Sequence, residues 1–544
     1  MPGLSPSAVV EQTEAAWATI EREPLPSDLA ALLDERAARH GERPLWVSID
    51  DGEILSYREF AARTRRCAAA LAHFGIGPGS HVAVMLPSVP ALPIAWFALA
   101  TLGAVMVAIN TRFTAREIDY ALKRSGAEAL VIDREYLSVL TQLDGPAAPL
   151  PRSRIIVHGA PVDGFRNQWN AMLAAAPTEA VAGREADRDR LLTIQFTSGS
   201  TGFPKGCMLS HRYWLTMGLV RSRQGPPVRR VLIDLPFHYV GGQWRFVMTL
   251  FLEATAFVTA QPSVSRLLQR LADYDIEFCS VSNAMANLPD GPPPHALGRG
   301  WVTTAGLNRT LHAELERRLG APVRELYGMT EIGSGLSMPI AAAHMTGSGS
   351  CGLPVAFRKY RIVDTAGRDV GKGEAGELWV KGPGILQGYF GQPEADAEAF
   401  RDGWFRTGDL FRRDDDGYFY MLGRLKDVIR RSGENISPSE VEAAVLAMPG
   451  IVEAAAVPVP DGLRGEEVKI YVVLAPPLSQ AEVPPDRIAA FCAERLAKFK
   501  LPRYIEYRDA LPRTASDKIA KQELRQIRPD LHAGSYDTTL GKWL

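Results

Sequence analysis

Residues 196–206 read Phe-Thr-Ser-Gly-Ser-Thr-Gly-Phe-Pro-Lys-Gly and follow, after Gln195, the apolar run Leu191-Leu192-Thr193-Ile194, which predicts a short buried strand. Three glycines, four hydroxyl side chains and one lysine fall within these eleven residues. Glycines let such a loop turn its backbone N–H groups outward without Cβ obstruction, while hydroxyls and an ammonium group meet phosphate oxygens. A P-loop is excluded. Lys205 lies between Pro204 and Gly206, so it is expected in a second turn and not at a helix N-terminus. Composition alone leaves two readings open, a phosphate-binding loop and a Ser/Gly/Thr-rich surface loop.

The rest of the chain narrows the choice. Its 544 residues exceed one ordinary core and imply two or more domains. Lys plus Arg number 61 against 62 acidic residues, so no global basic field draws nucleic acid or an anionic membrane, and a small-molecule partner is expected. Hydrophobic content of 46% with 23% charged residues fits a globular enzyme. The five cysteines are scattered and form no C-x-x-C pair, which argues against a disulfide framework or zinc site and suits a reducing cytoplasm. No basic segment leads into an apolar one at the N-terminus, so no secretory signal is expected. The charge-free stretch 91–109 is interrupted by Gly103 and has prolines at 87, 90 and 93 around its start, which predicts a buried helix to Leu102 and a buried strand over 104–109, with no stable membrane insertion.

Helix-like and strand-like segments alternate over roughly the first 400 residues, for example a helix over 57–74 and a strand over 81–86, a rhythm of parallel βαβ layers. Charges cluster at 412–416, ahead of a short aromatic strand that ends at Gly423-Arg424-Leu425-Lys426-Asp427. Beyond it, Ser437-Pro438-Ser439-Glu440 reads as a capping box, followed by strands over 451–459 and 468–474 and a helix over about 485–499. The domain boundary is therefore expected at Lys426. Gly347-Ser348-Gly349-Ser350-Cys351-Gly352 satisfies G-x-G-x-x-G, but Leu353-Pro354 blocks a following helix, so it reads as a loop before a strand over 360–363.

Further segments occur in a fixed order: Asn110-Thr111-Arg112-Phe113-Thr114, Pro236-Phe237-His238-Tyr239-Val240-Gly241, Tyr327-Gly328-Met329-Thr330-Glu331, Thr407-Gly408-Asp409, Arg424, and Leu511-Pro512-Arg513-Thr514-Ala515-Ser516-Asp517-Lys518-Ile519. Together with the loop at 196–206 they resemble the signatures of the adenylate-forming enzymes: acyl-CoA synthetases, adenylation domains and luciferases. The resemblance implies an α/β fold, with a large N-terminal domain of βαβ-layered sheets and a small β-barrel-like part over 1–425. A smaller, mobile α+β domain over 426–544 carries the catalytic lysine.

The resemblance also implies roles. Thr197, Ser198, Gly199, Ser200, Thr201, Gly202 and Lys205 would hold the β- and γ-phosphates of ATP, with Mg²⁺ shared by Thr201 and Glu331. Thr330 would bond a phosphate, Tyr327 and Ala305 would border adenine, Asp409 would accept the ribose hydroxyls, and Arg424 would help fix them. Lys518 would bridge the carboxylate and the α-phosphate, Lys426 would act as hinge, and Gly433 would let the arm of coenzyme A pass. His238, Gln243, Trp244, Thr303 and Thr304 would line the acid pocket. Two departures stand out: Asp517 replaces the usual glycine before the lysine, and Thr303-Thr304 replace two glycines. Arg245 in an acyl pocket would need an anion, either a second carboxylate on a small or polar acid or an internal acid.

The expected function is ATP-dependent activation of a carboxylic acid to an acyl-adenylate, then thioester formation with coenzyme A, by a cytoplasmic enzyme that is a monomer or a homodimer. Loading of a carrier protein is the close alternative, and a non-catalytic nucleotide sensor is the alternative of another class.

Overall fold

The computed structural model describes residues 5–143, 149–177, 186–197, 204–260, 263–282, 295–431, 434–514 and 518–544. The chain divides into two compact units. The first comprises the described residues up to Lys359 with Val380–Phe405, and the second Tyr360–Trp379 with the described residues from Arg406 to Leu544.

Two sheets organise the first unit. One runs Asn167–Gln168, Ile155–His158, Ala129–Asp133, His81–Met85, Val105–Ala108, Leu191–Thr197, Lys205–Ser210. Its neighbours are parallel up to Leu191–Thr197, on which Lys205–Ser210 folds back antiparallel with Lys205 opposite Thr197. Lys205 thus opens a strand, where a second turn was expected. Gly206 explains the difference: a Cβ there would meet Ile194 Cγ2 at 2.9 Å, so this glycine serves close strand packing and not a turn.

The charge-free stretch folds as expected. Ala91–Leu102 is a helix buried along its length except at Thr101, Gly103 ends it in the left-handed region at φ 69°, and Val105–Ala108 follows as a strand. Trp96 and Trp214 both donate to Thr193 Oγ1, at 3.1 and 3.2 Å, so the indoles are buried without losing their polar edge. Among the described residues, no helix is long and apolar enough to cross a membrane.

The second sheet runs Leu353–Pro354, Gly333–Ser337, Val323–Met329, Trp301–Thr304, Phe278–Ser280, Arg230–Ile233, Thr255–Val258, Pro44–Ser48, Ile54–Ser56. Val323–Met329 and Gly333–Ser337 form an antiparallel hairpin whose turn contains Thr330 and Glu331.

In the second unit, Glu434–Ile436, Ile429–Arg431, Gly465–Leu474, Tyr504–Tyr507, Tyr536–Asp537 and Lys542–Trp543 form one sheet, with Ile451–Asp461 also paired to Gly465–Leu474. Ser437 caps the helix Pro438–Leu446 through the Glu440 N–H, but the Glu440 carboxylate is drawn to Lys500 Nζ at 2.6 Å, so only half of the expected capping box forms. The helix Pro485–Ala493 stops short of the expected position 499. Its apolar face is spent at Ile488 and Cys492, and the chain then turns through a short 3₁₀ segment, Lys498–Lys500, held by the same Glu440 contact.

Candidate active site

Thr197 and Lys205 close the mouth of the strand pair, the Thr197 hydroxyl donating to the Lys205 carbonyl at 3.4 Å. Ser198, Gly199, Ser200, Thr201 and Gly202 lie outside the described residues. Lys205 Nζ stands 4.9 Å from the ring centroid of Tyr389, whose hydroxyl donates to Glu331 Oε1 at 3.2 Å. Glu331 is buried, and the turn around it is fixed by Leu386 N–H donating to its carbonyl at 2.7 Å.

The segment that delivers Tyr389 runs antiparallel along the strand that Lys205 opens. Gln387 N–H donates to Met208 O, Met208 N–H to Gly388 O and Phe390 N–H to Gly206 O, at 2.9, 2.9 and 2.8 Å. Burial first, then the Glu331 charge, raises the Tyr389 phenol far above its ordinary range, so it stays protonated as a donor. Sequence reasoning missed Tyr389; the one local signal is Gly388, held at φ 138° with Asp396 where a Cβ would sit.

Tyr327 is buried, and Gly335 makes room for it: a Cβ at 335 would meet the Tyr327 carbonyl at 2.9 Å. Ala305 lies exposed in the turn Ala305-Gly306-Leu307. That turn is clamped by Glu325, whose carboxylate accepts Gly306 N–H at 3.0 Å and Leu307 N–H at 2.9 Å. Burial pushes the Glu325 carboxyl up to about 7 against the pull of those two bonds. Glu325 was also missed, because its partners lie on a neighbouring strand's exit loop.

His238 is buried and its pKa is shifted down to about 4, by burial and then by the Arg112 charge, so the imidazole is neutral at neutral pH. Its carbonyl accepts Gln195 Nε2 at 2.7 Å, and neighbouring Tyr239 accepts Asn110 Nδ2 at 2.8 Å. Arg245 donates to Gly241 O at 2.7 Å and to Ser280 Oγ, which is 2.6 Å from Thr303 Oγ1. Trp244 carries both the Arg245 and Arg221 guanidinium groups over its ring, 4.5 and 5.1 Å from the centroid.

Contacts thus join Thr303, Trp244 and Arg245. Gln243, fully buried, is two residues from Arg245 and so about 200° around the helix, and Thr304 alternates to the other face of its strand. Buried Asp234 is an internal acid whose charge acts on Arg245.

In the second unit, Asp409 and Arg424 are register partners in the antiparallel pair Trp404–Arg413 and Phe419–Arg424, with Arg424 Nε 3.5 Å from Asp409 Oδ1. Thr407 Oγ1 accepts the Asp409 N–H at 3.1 Å, and Gly408 takes φ 70°, a turn that only glycine makes without strain. Lys426 is exposed, its carbonyl accepting Arg525 Nη1 at 3.2 Å. Gly433 and Asp517 lie outside the described residues. Lys518 is exposed, its N–H donating to Thr514 Oγ1 at 3.2 Å while its carbonyl accepts Thr514 N–H at 2.7 Å.

The family model described as AMP-binding enzyme matches residues 33–390, and that described as AMP-binding enzyme C-terminal domain matches 440–518. A long-chain-fatty-acid–CoA ligase of Salmonella typhimurium is 30% identical over 554 residues, covering 91% of this chain and 94% of that protein. A feruloyl-CoA synthase of Amycolatopsis sp. is 32% identical over 502 residues, covering 90% and 95%. Among solved structures, the o-succinylbenzoate coenzyme A synthetase of Bacillus subtilis in complex with ATP and magnesium ion aligns with a TM-score of 0.77 at 26% identity, over 91% of this chain and 99% of that one. Matched along most of its length, in both parts and with the signature residues in the family's order, this chain belongs to the AMP-binding enzymes, the adenylate-forming superfamily.

Proposed function

We infer that the protein is an ATP- and Mg²⁺-dependent acid–CoA ligase. The observation that carries this reading is the meeting of Lys205 and Glu331 at one phenol, a cation and a buried carboxylate held together at the end of a glycine-rich loop. Its anionic oxygen donor fits Mg²⁺, and the ion, when bound, would neutralise phosphate charge. Thr201 is the second residue proposed to hold it.

In the first half-reaction a carboxylate oxygen attacks the α-phosphorus of ATP and the bond to the β-phosphate oxygen breaks, releasing pyrophosphate. Both reactants are anions, so the protein's task is positioning and charge stabilisation. The loop from Thr197 through Ser198, Gly199, Ser200, Thr201 and Gly202 to Lys205 holds the β- and γ-phosphates, Thr330 bonds a phosphate oxygen, Tyr327 and Ala305 border adenine, and Asp409 with Arg424 takes the ribose. Lys518 steadies the attacking carboxylate against the α-phosphate. In the second, the coenzyme A sulfur attacks the acyl carbon and AMP leaves with the bonding electrons. The domain over 426–544 turns on Lys426 for this step, and Gly433 admits the thiol arm. His238, Trp244 and Thr303 border the acid, with Gln243 and Thr304 at its margins. Five free thiols suit the cytoplasm.

Pyrophosphate release is measured over a panel of long-chain, hydroxycinnamic and short polar acids, with and without coenzyme A. Turnover that requires coenzyme A supports the ligase, turnover that requires a carrier protein replaces it with a loading enzyme, and no turnover supports a nucleotide sensor. Lys518→Ala should lower carboxylate-dependent ATP–pyrophosphate exchange by on the order of 10³-fold while sparing thioester formation from supplied acyl-adenylate. Unchanged exchange would remove Lys518 from this role.

A further inference from the structure

The segment Leu386–Phe390 touches both charged groups of the proposed phosphate site and belongs to neither. Three main-chain bonds tie it to the strand that begins at Lys205, and a fourth, from Leu386 N–H, ties it to the carbonyl of Glu331. Tyr389 is anchored in turn by its N–H, which donates to Asp396 Oδ1 at 2.7 Å. The ring beneath Lys205 Nζ presents its negative face to an ammonium, and the hydroxyl presents a donor to a carboxylate. Cys207 and Glu331 are buried, Lys205 is half-buried, and Cys207 feels both charges. Opposite charges in such a place are drawn into direct contact. An inserted phenol satisfies each without consuming either.

We propose that Tyr389 is a positioning residue that holds Lys205 and Glu331 ready for Mg²⁺·ATP, its hydroxyl setting the Mg²⁺ dependence and its ring setting the affinity for the nucleotide phosphates. The proposal rests on the ligase reading. It separates two functions of one side chain, and two substitutions separate them experimentally. Tyr389→Phe keeps the ring under Lys205 and removes the donor to Glu331. Tyr389→Leu removes both.

The test is calorimetric binding of ATP to the full-length protein, with and without Mg²⁺, which needs no knowledge of the acid. Tyr389→Phe should raise the Mg²⁺ concentration for half-saturation about tenfold, the effect of one hydrogen bond to a charged group, with ATP binding in the absence of Mg²⁺ unchanged. Tyr389→Leu should weaken binding a further several-fold and do so without Mg²⁺ as well. A structural role alone would lower the melting temperature and shift both binding constants together. Equal Mg²⁺ dependence in Tyr389→Phe and the parent overturns the proposal and leaves the ligase reading intact. A parent that binds no ATP overturns both. The isosteric Phe variant decides the matter if Tyr389→Leu does not fold.

Discussion

Lys469 is fully buried and Lys205 half-buried, each with a carboxylate near at hand, and they differ in what stands between the charges. Lys469 is fully buried, with Nζ 2.6 Å from Glu506 Oε2 and 2.6 Å from the Leu531 carbonyl. Glu506 also receives Arg528 at 2.6 Å and Arg508 at 3.4 Å. Nearby, Arg431, Arg464 and Arg503 converge on fully buried Glu467, and Arg503 continues to Asp537 and Asp461. Every charge there is spent on another charge. Burial lowers the Lys469 pKa and the contact with Glu506 restores part of it, desolvation and attraction working against each other. At Lys205 the counter-ion is replaced by an aromatic face, and at Glu331 by a phenolic hydroxyl. On the proposed reading, these two charges serve a ligand that brings phosphate and a metal ion, whereas the directly paired charges around Lys469 hold the fold.

The largest effect is expected where a spent charge is stranded. Glu506→Gln leaves Lys469, Arg508 and Arg528 around a neutral amide, and breaking a buried pair in this way costs about 3–5 kcal/mol. Urea unfolding of the full chain, followed through the second unit's tyrosines, should show that loss. A change under about 1 kcal/mol would mean that the lattice is as dispensable as a surface pair.

Neither region was legible to the same degree. The strand before the loop and the buried helix over 91–102 follow from periodicity and glycine placement, both of which are local, whereas the hairpin turn at Thr330 and Glu331 and the register pairing of Asp409 with Arg424 are not read from either. Tyr389, Glu325 and the Lys469 lattice depend on which strands become neighbours, and no short pattern encodes that. The same limit applies to the acid pocket. Gln243 and Arg245 looked like one polar cluster because they are close in sequence, yet a helix turns them to opposite sides, and a strand does the same to Thr303 and Thr304. The placement of Arg245, bonded to Gly241 and Ser280 and acted on by the Asp234 charge, also had to come from the packed sheet.

Glu325 lies between the two extremes, a buried carboxylate held by backbone N–H groups and no cation. Its folded acidity lies near 7, above the ordinary carboxylate value, so the folded state binds its proton more tightly than the unfolded chain does. Its stabilising contribution is complete below the ordinary carboxylate range and is lost as pH rises through about 7. The total is about 3 kcal/mol. His238 slopes the other way: its folded value near 4 means that stability falls as pH drops from the ordinary histidine range toward 4. The two oppose each other in mildly acidic solution, so the difference between Glu325→Gln and the parent is the informative quantity. Relative to Glu325→Gln the parent should be most stable near pH 5 and should lose ground toward pH 8, where the parent carries a buried carboxylate and the variant carries no charge; unfolding midpoints taken over that range check this. Parallel curves would place the Glu325 carboxyl in its ordinary range and make it an unremarkable acceptor.

The smallest effect separates geometry from burial. Arg212 holds Asp189 by two hydrogen bonds of 2.6 Å, from Nε and Nη2 to the two carboxylate oxygens, a closer bidentate fit than most contacts in the lattice around Glu467. The Asp189 side chain is 61% exposed. Water therefore screens the pair and competes for every bond in it, and the cost of ordering two long side chains offsets much of the attraction. Asp189→Asn keeps the size and one acceptor and should cost under about 1 kcal/mol, with 1 M salt erasing most of the difference. A loss near that of Glu506→Gln would show that bidentate geometry alone sets the value of an ion pair in this protein. The distinction between Lys469 and Lys205 would then have to be drawn from distance, with burial and the intervening phenol carrying none of it.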